Sequence, residues 1–296
     1  MNTPAQHFSR FEILVLILLT LCWGLNWPIM KIGVQDFPPL SFRSLSMLGG
    51  LPVLWIAAHY SKQSLRIAPG HFWPILKLAI PNMLIWHFFI ILGVAKLSSG
   101  RAAILGYTMP LWAVLFGLLL YRDKISRRAW FGLLCALIGT LLLLSNEFAN
   151  LYGKPTGTLF ALIAAAGWGY GTVQLKRAQL TMPTIALTFW MLLLATVTLV
   201  IGALLLESSR WRAPNQAEWG AIVYNAVVVF GFAHLAWFRL ARSLPPIASS
   251  LSIMLIPMVG LFAGAYLLNE IPHWQDYAAL GLMLLAMACV LLPKRQ

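Results

Sequence analysis

The chain has 296 residues, of which 60% are hydrophobic and only 10% charged, with 21 Lys and Arg against 8 Asp and Glu. Soluble domains carry roughly a quarter charged residues, so a soluble globular fold is excluded. The nucleic-acid partner that a net charge of +13 would suggest for a soluble protein is excluded with it.

Ten stretches of 17 to 29 residues contain no Asp, Glu, Lys or Arg: 13–30, 44–61, 78–95, 102–121, 129–146, 155–175, 178–206, 219–238, 243–269 and 277–293. A helix needs about 20 mostly apolar residues to cross the hydrocarbon of a bilayer. A soluble helix of that length would carry charge on its wet face. The pattern predicts an all-α integral membrane protein of ten transmembrane helices forming a single membrane domain.

The first segment follows Arg10 and begins like a signal peptide. No small-residue cleavage site precedes Trp23, and Asn26-Trp27-Pro28 follows directly, so it is read as a mature helix. On the third segment Asn82, Trp86 and Phe89 are spaced i, i+4, i+7 and share a face. His87 lies beside that face, ten residues from Lys77 and nine from Lys96, near mid-membrane. An ionisable residue at that depth is a substrate or proton-relay candidate; the alternative is a neutral imidazole bonded to a neighbouring helix. Tyr107 and Trp112 on the fourth segment flank Pro110. Pro81, Pro110 and Pro257 interrupt the third, fourth and ninth segments, as hinges or as static kinks.

Trp168 on the sixth segment stands between Gly167 and Gly169, with Gly171 beyond. Small residues let helices approach closely, so the indole is either a cavity wall or a packing filler. The eighth segment carries Tyr224, Asn225, Phe230 and His234. His234 is five residues from Arg239, which suggests a position near the membrane interface. Ser249 and Ser252 on the ninth segment could bond a substrate or the backbone one turn back. Trp55, Trp73, Trp130, Trp211, Trp219 and Trp274 fall near segment ends and are read as interfacial belt residues. Cys22, Cys135 and Cys289 all fall inside segments, an odd number that argues against both a disulfide framework and a zinc site.

With the N-terminus cytoplasmic, 14 of the 21 basic residues, among them Lys62, Arg66, Arg122 and Lys124, lie on the inner side. Seven, including Lys31, Arg43, Lys96 and Arg101, lie outside. The positive-inside rule therefore places both termini in the cytoplasm. Weak self-similarity links the two halves, about 11–146 and about 155–293. Trp23-Gly24, Lys31 and Pro38 match Trp168-Gly169, Lys176 and Pro183 at a spacing of 145. His87, Pro110, Gly117 and Asp123 match His234, Pro257, Gly264 and Glu270 at 147. Five helices per half is an odd number, so the second half enters inverted, an architecture that puts a transport site between the halves.

Trp23-Gly24-Leu25-Asn26 and the acidic helix ends Arg122-Asp123 and Asn269-Glu270 resemble the drug/metabolite transporter superfamily, in its ten-helix EamA-like branch. The resemblance covers essentially the whole chain, with Asp123 where that family more often has Glu. As a whole the sequence is most similar to the bacterial aromatic amino-acid exporters of that superfamily. The resemblance implies a cavity surrounded by the third, fourth, eighth and ninth helices, in a multi-pass protein of the bacterial inner membrane.

No embedded carboxylate is present to hold a cationic drug, and no cluster of cations to hold a phosphorylated solute. With the core read as free of fixed charge, Asn82, Trp86, His87, Tyr107, Trp168, Tyr224 and Ser252 are the substrate-binding candidates, suited to a zwitterionic or neutral, partly apolar cargo. Export of aromatic and other bulky amino acids by alternating access is the expected activity; other neutral metabolites or drugs are the alternative. No GxxxxGK[ST] loop occurs, so ATP is not the energy source. Uncoupled movement down the solute gradient is expected, and proton coupling, if present, would fall on His87 or His234. No metal, cofactor, enzymatic activity or nucleic-acid partner is implied; the partners are a small solute and the bilayer, with a monomer favoured.

Overall fold

A computed structural model describes residues 10–124, 126–149, 155–178, 180–236 and 246–291. The 237–245 connection, with Arg239, lies outside the described residues, as do the side chains of 246–254, among them Ser249 and Ser252. The described residues are helical, with no strand. In chain order the helices are α1 (Arg10–Val34), α2 (Pro39–Tyr60), α3 (Phe72–Lys96), α4 (Ser99–Tyr121), α5 (Arg127–Ala149), α6 (Pro155–Arg177), α7 (Thr184–Glu207), α8 (Gln216–Ala236), α9 (Pro246–Leu268) and α10 (Trp274–Leu291). Among the described residues seven spans, within α1 to α4 and α6 to α8, are long and apolar enough to cross a membrane.

The outer surface is that of a lipid-facing bundle. Leu119, Leu205 and Ile201 are exposed, as are all six tryptophans expected in the interfacial belt. Trp27, by contrast, is buried, and Trp23, Trp86, Trp112 and Trp168 are half-buried. Where no water competes for backbone groups, helix ends must find partners inside the protein. Carboxylates supply them at one end of the bundle. Glu207 accepts the Leu40 and Ser41 amides at 3.0 and 2.8 Å and so caps α2. Glu270 accepts the Ser99 and Gly100 amides at 2.7 and 3.4 Å and caps α4. Asp276 pairs with Arg101 at 2.6 Å and accepts the His273 amide. Glu218 closes a capping box with Asn215 on α8 and pairs with Arg212, whose pKa it raises through their hydrogen bond. Lys31 donates to three carbonyls at the end of α3, Val94, Ala95 and Leu97.

Two of the three expected proline interruptions coincide with breaks in regular α-helix. α3 runs as a π-helix over Ile80–Ile85, with Pro81 in its first turn. α4 is broken at Tyr107 and Thr108, and resumes at Met109 with Pro110 in its first turn. Pro257 sits inside continuous helix. α8 also carries a π stretch, Tyr224–Ala233, without a proline. Such bulges leave backbone groups off the regular ladder and are frequent at functional sites.

α4 changes partner at its break. Its first half packs on α9, where Gly100 meets Leu261 and Ala103 meets Gly260. Its second half packs on α6, with Trp112 against Gly169. A cavity of about 340 Å³ lies at the carboxylate-rich end, lined by Lys96, Ser98, Arg101, Leu261, Glu270 and Asp276 among others. None of the tryptophans inside the bundle lines it.

Candidate functional site

The face of α3 read from the sequence packs on α6. Asn82 meets Gly171, Trp86 meets Trp168 at 5.2 Å between ring centroids, and Phe89 meets Phe160 at 5.8 Å. Asn82 is buried, and its amide donates to Leu78 O at 2.9 Å, so it joins the helices and bonds its own turn. The glycines around Trp168 are explained by these contacts. A Cβ on Gly167 would strike Ile85 of α3, one on Gly169 would strike Met109 and Trp112 of α4, and one on Gly171 would strike Asn82. They let α6 lie against α3 and α4 together, with the Trp168 indole between.

Two aromatic clusters meet at the centre. In the first, Trp27 of α1 contacts Tyr107 of α4 at 6.2 Å, and the Trp27 and Trp86 edges both reach over Gly106. Trp168 extends this cluster through Trp86. In the second, Trp23 of α1 stands edge-on to His234 at 5.9 Å. Phe230 stacks on His234 at 5.4 Å and meets His87 at 5.1 Å. The clusters are joined covalently, since Trp23 and Trp27 are one turn apart and Trp86 and His87 are neighbours. Tyr224 donates its hydroxyl to Cys22 O at 2.7 Å, which ties α8 to α1 at their edge.

Three expectations require correction or completion. His234 is not interfacial: it is 5% exposed, 6.4 Å from His87, and packed against a tryptophan midway along α1. Its Nδ1 lies 2.7 Å from Val229 O, a carbonyl five residues back, in the π register. The core is also not free of fixed charge. Arg43, counted from the sequence among the outer basic residues, is only 1% exposed. α2 begins at Pro39, so Arg43 is already inside the helix, and its guanidinium lies over the Phe230 ring at 5.8 Å. Among the described residues no carboxylate pairs with it; removing an ion from water without a counter-ion costs on the order of several kcal/mol. Trp27, finally, belongs to the centre, and its i+4 spacing from Trp23 is the sequence signal for it.

His87 has neither ring nitrogen bonded within the described residues. Among the described residues no group of three His, Cys, Asp or Glu comes together to hold a metal. The buried acids Glu207, Glu218 and Asp276, and the part-buried Glu270 contacts, cap helices or pair with arginines at one end, away from the aromatic centre. Among the described residues the centre therefore offers aromatic faces, two imidazoles and one guanidinium, but no carboxylate. That set suits a solute with an apolar ring and an acid group, not a simple cation.

The chain is 28% identical over 262 residues to the uncharacterized transporter YoaV of Bacillus subtilis, covering 87% of this chain and 89% of that one. It is 27% identical to the uncharacterized inner membrane transporter YedA of Escherichia coli, covering 94% and 90%. It is 22% identical to an Escherichia coli protein named a probable amino-acid metabolite efflux pump, covering 88% of each. A protein crystal structure superposes with a TM-score of 0.67 at 21% identity over 95% of this chain and 96% of the other, a likeness of fold. The EamA-like transporter model matches twice, over residues 10–145 and 155–292, and together these cover nearly the whole sequence. The chain is thus a multi-pass membrane transporter and belongs to the EamA-like transporter family.

Proposed function

We propose that this transporter crosses the bacterial inner membrane ten times as a 5+5 inverted repeat with both termini cytoplasmic. It exports zwitterionic or neutral solutes, bulky aromatic amino acids foremost, by alternating access. The observation that carries the substrate class is the aromatic centre formed by α1, α3, α4, α6 and α8, into which no carboxylate projects among the described residues. The relative named an amino-acid metabolite efflux pump points the same way.

Recurring contacts support the repeat. Gly24 of α1 packs on Val259 of α9, and its mate Gly169 of α6 packs on Trp112 of α4. Arg122 and Asn269 both adopt left-handed backbone, with φ of 55° and 52°. The next amides, of Asp123 and Glu270, return to Gly117 O and Gly264 O. Pro38 and Pro183 precede α2 and α7 in the same extended geometry. The family model matches once in each half. The Glu270 cap then lies on the outer side and holds α4 against α9 there.

Two measurements test the reading. Single cysteines placed in 62–66 and 122–124 should react with an impermeant reagent only from the cytoplasmic side. Labelling of both from outside would overturn the orientation. Purified protein in proteoliposomes should give saturable counterflow of Phe, Tyr and Trp with no imposed ion gradient. Flux seen only with a pH gradient would overturn uncoupled transport, and transport of a phosphorylated sugar in place of these amino acids would overturn the substrate class.

A further inference from the structure

Arg43 is the buried cation that the reading above leaves without a role. Its Nη1 donates to Asn225 Oδ1 at 3.3 Å, a long bond. Its Nη2 lies 2.7 Å from the Met30 thioether, a weak acceptor. Its Nε is buried with no partner within the described residues. Asn225 is fully buried, and its amide nitrogen is committed to Ala221 O at 3.0 Å, so its oxygen is held toward the guanidinium. On the other side of Phe230 stands His87, whose two ring nitrogens likewise have no partner within the described residues. Among the described residues the Arg43 guanidinium is therefore met by one long amide contact and a thioether, while the carboxylates at the helix ends are held by helix termini and other arginines.

We propose that Arg43 is the anchor for a carboxylate on the transported solute, with Asn225 fixing the guanidinium and His87 next to the bound acid. A guanidinium presents its donors as a planar fork that matches the two oxygens of a carboxylate. The adjoining tryptophans give the ring of the solute a place to pack and their faces attract an ammonium group. Because Arg43 and His87 are both buried, the acid reaches them only when the helices around Phe230 part, so the anchor acts in an occluded step of the cycle. This rests on the amino-acid reading above and sharpens it, since a free carboxylate becomes a requirement.

The test uses the full chain in proteoliposomes, with labelled phenylalanine in counterflow. Unlabelled phenylalanine and 3-phenylpropionate should compete, whereas phenylalaninamide and phenethylamine should compete about 10- to 100-fold less well. Arg43→Gln should weaken apparent phenylalanine affinity by a similar factor and erase the distinction between acid and amide. Arg43→Lys, which keeps the charge but loses the fork, should fall between. Thermal unfolding in detergent reports whether each variant is folded. If Arg43→Gln does not fold, the wild-type competition decides: equal competition by acid and amide overturns the anchor. A folded Arg43→Gln that still prefers the acid overturns it too. If the wild type carries no phenylalanine, the amino-acid reading fails on its own. Thermal stabilisation of the wild type by 3-phenylpropionate but not by its amide would then still support the anchor, and equal or no stabilisation would overturn it.

Discussion

Replacing His87 with Phe is expected to leave the protein folded and to reduce amino-acid flux about tenfold or more. The two effects separate because of how the ring is held. His87 is 3% exposed and stands edge-on to Phe230 at an interplanar angle of 66°, contacts that a phenyl ring can keep. Its two nitrogens have no partners within the described residues. A buried polar group left unsatisfied costs about 1–3 kcal/mol, so removing both nitrogens should hold stability or raise it. If the imidazole serves only to fill space, flux will survive as well. Thermal unfolding and counterflow on the same preparation give the answer, and wild-type flux in a protein of equal or greater stability would make His87 a packing residue.

Most of the bundle was legible in the sequence because the bilayer forbids charge over about 20 residues at a time. Among the described residues helices fall on the charge-free segments, and the six tryptophans near segment ends are exposed. The shared face of Asn82, Trp86 and Phe89 followed from helical periodicity alone. What periodicity could not say was which helix lay opposite; the structure puts α6 there, and so gives Asn82 a packing role.

Arg43 was misplaced for a related reason. Counting charge-free residues ends a helix at its first charge, and Arg43 immediately precedes the segment 44–61. Pro38-Pro39 carried the better signal, since proline favours the first turn of a helix. Started there, α2 contains Arg43 in its second turn. His234 was misplaced by distance from Arg239 along the chain, a measure that ignores tertiary packing. Its repeat relation to His87 was the sounder guide, and the two rings lie 6.4 Å apart. Glu270 is a helix-end acid in the sequence, but its capping partner is 171 positions away and was not legible, and nothing in the sequence singled out Glu207, Glu218 or Asp276.

The glycine pattern around Trp168 yields the second large effect. Gly169→Ala is expected to destabilise the protein by about 3 kcal/mol, near the upper end for overpacking. The added carbon would lie 2.7 Å from Met109 O, 2.8 Å from Ala113 N and 2.6 Å from the Trp112 Cβ. Two of these are backbone atoms of α4 and the third is rigidly attached to it, so no rotamer change relieves the contact. α6 would have to move off α4, which would also displace Trp168 from Trp86. Gly281→Ala is the control, because nothing lies within 4 Å of its built Cβ on α10. There the gain in helix propensity, up to about 1 kcal/mol, should make alanine neutral or stabilising. In detergent, Gly169→Ala should lower the midpoint of thermal unfolding by roughly 5–10 °C, while Gly281→Ala leaves it unchanged or raises it. Equal midpoints for Gly169→Ala and the wild type would mean that α6 and α4 do not pack as closely as this structure places them, and the aromatic site between them would lose its frame.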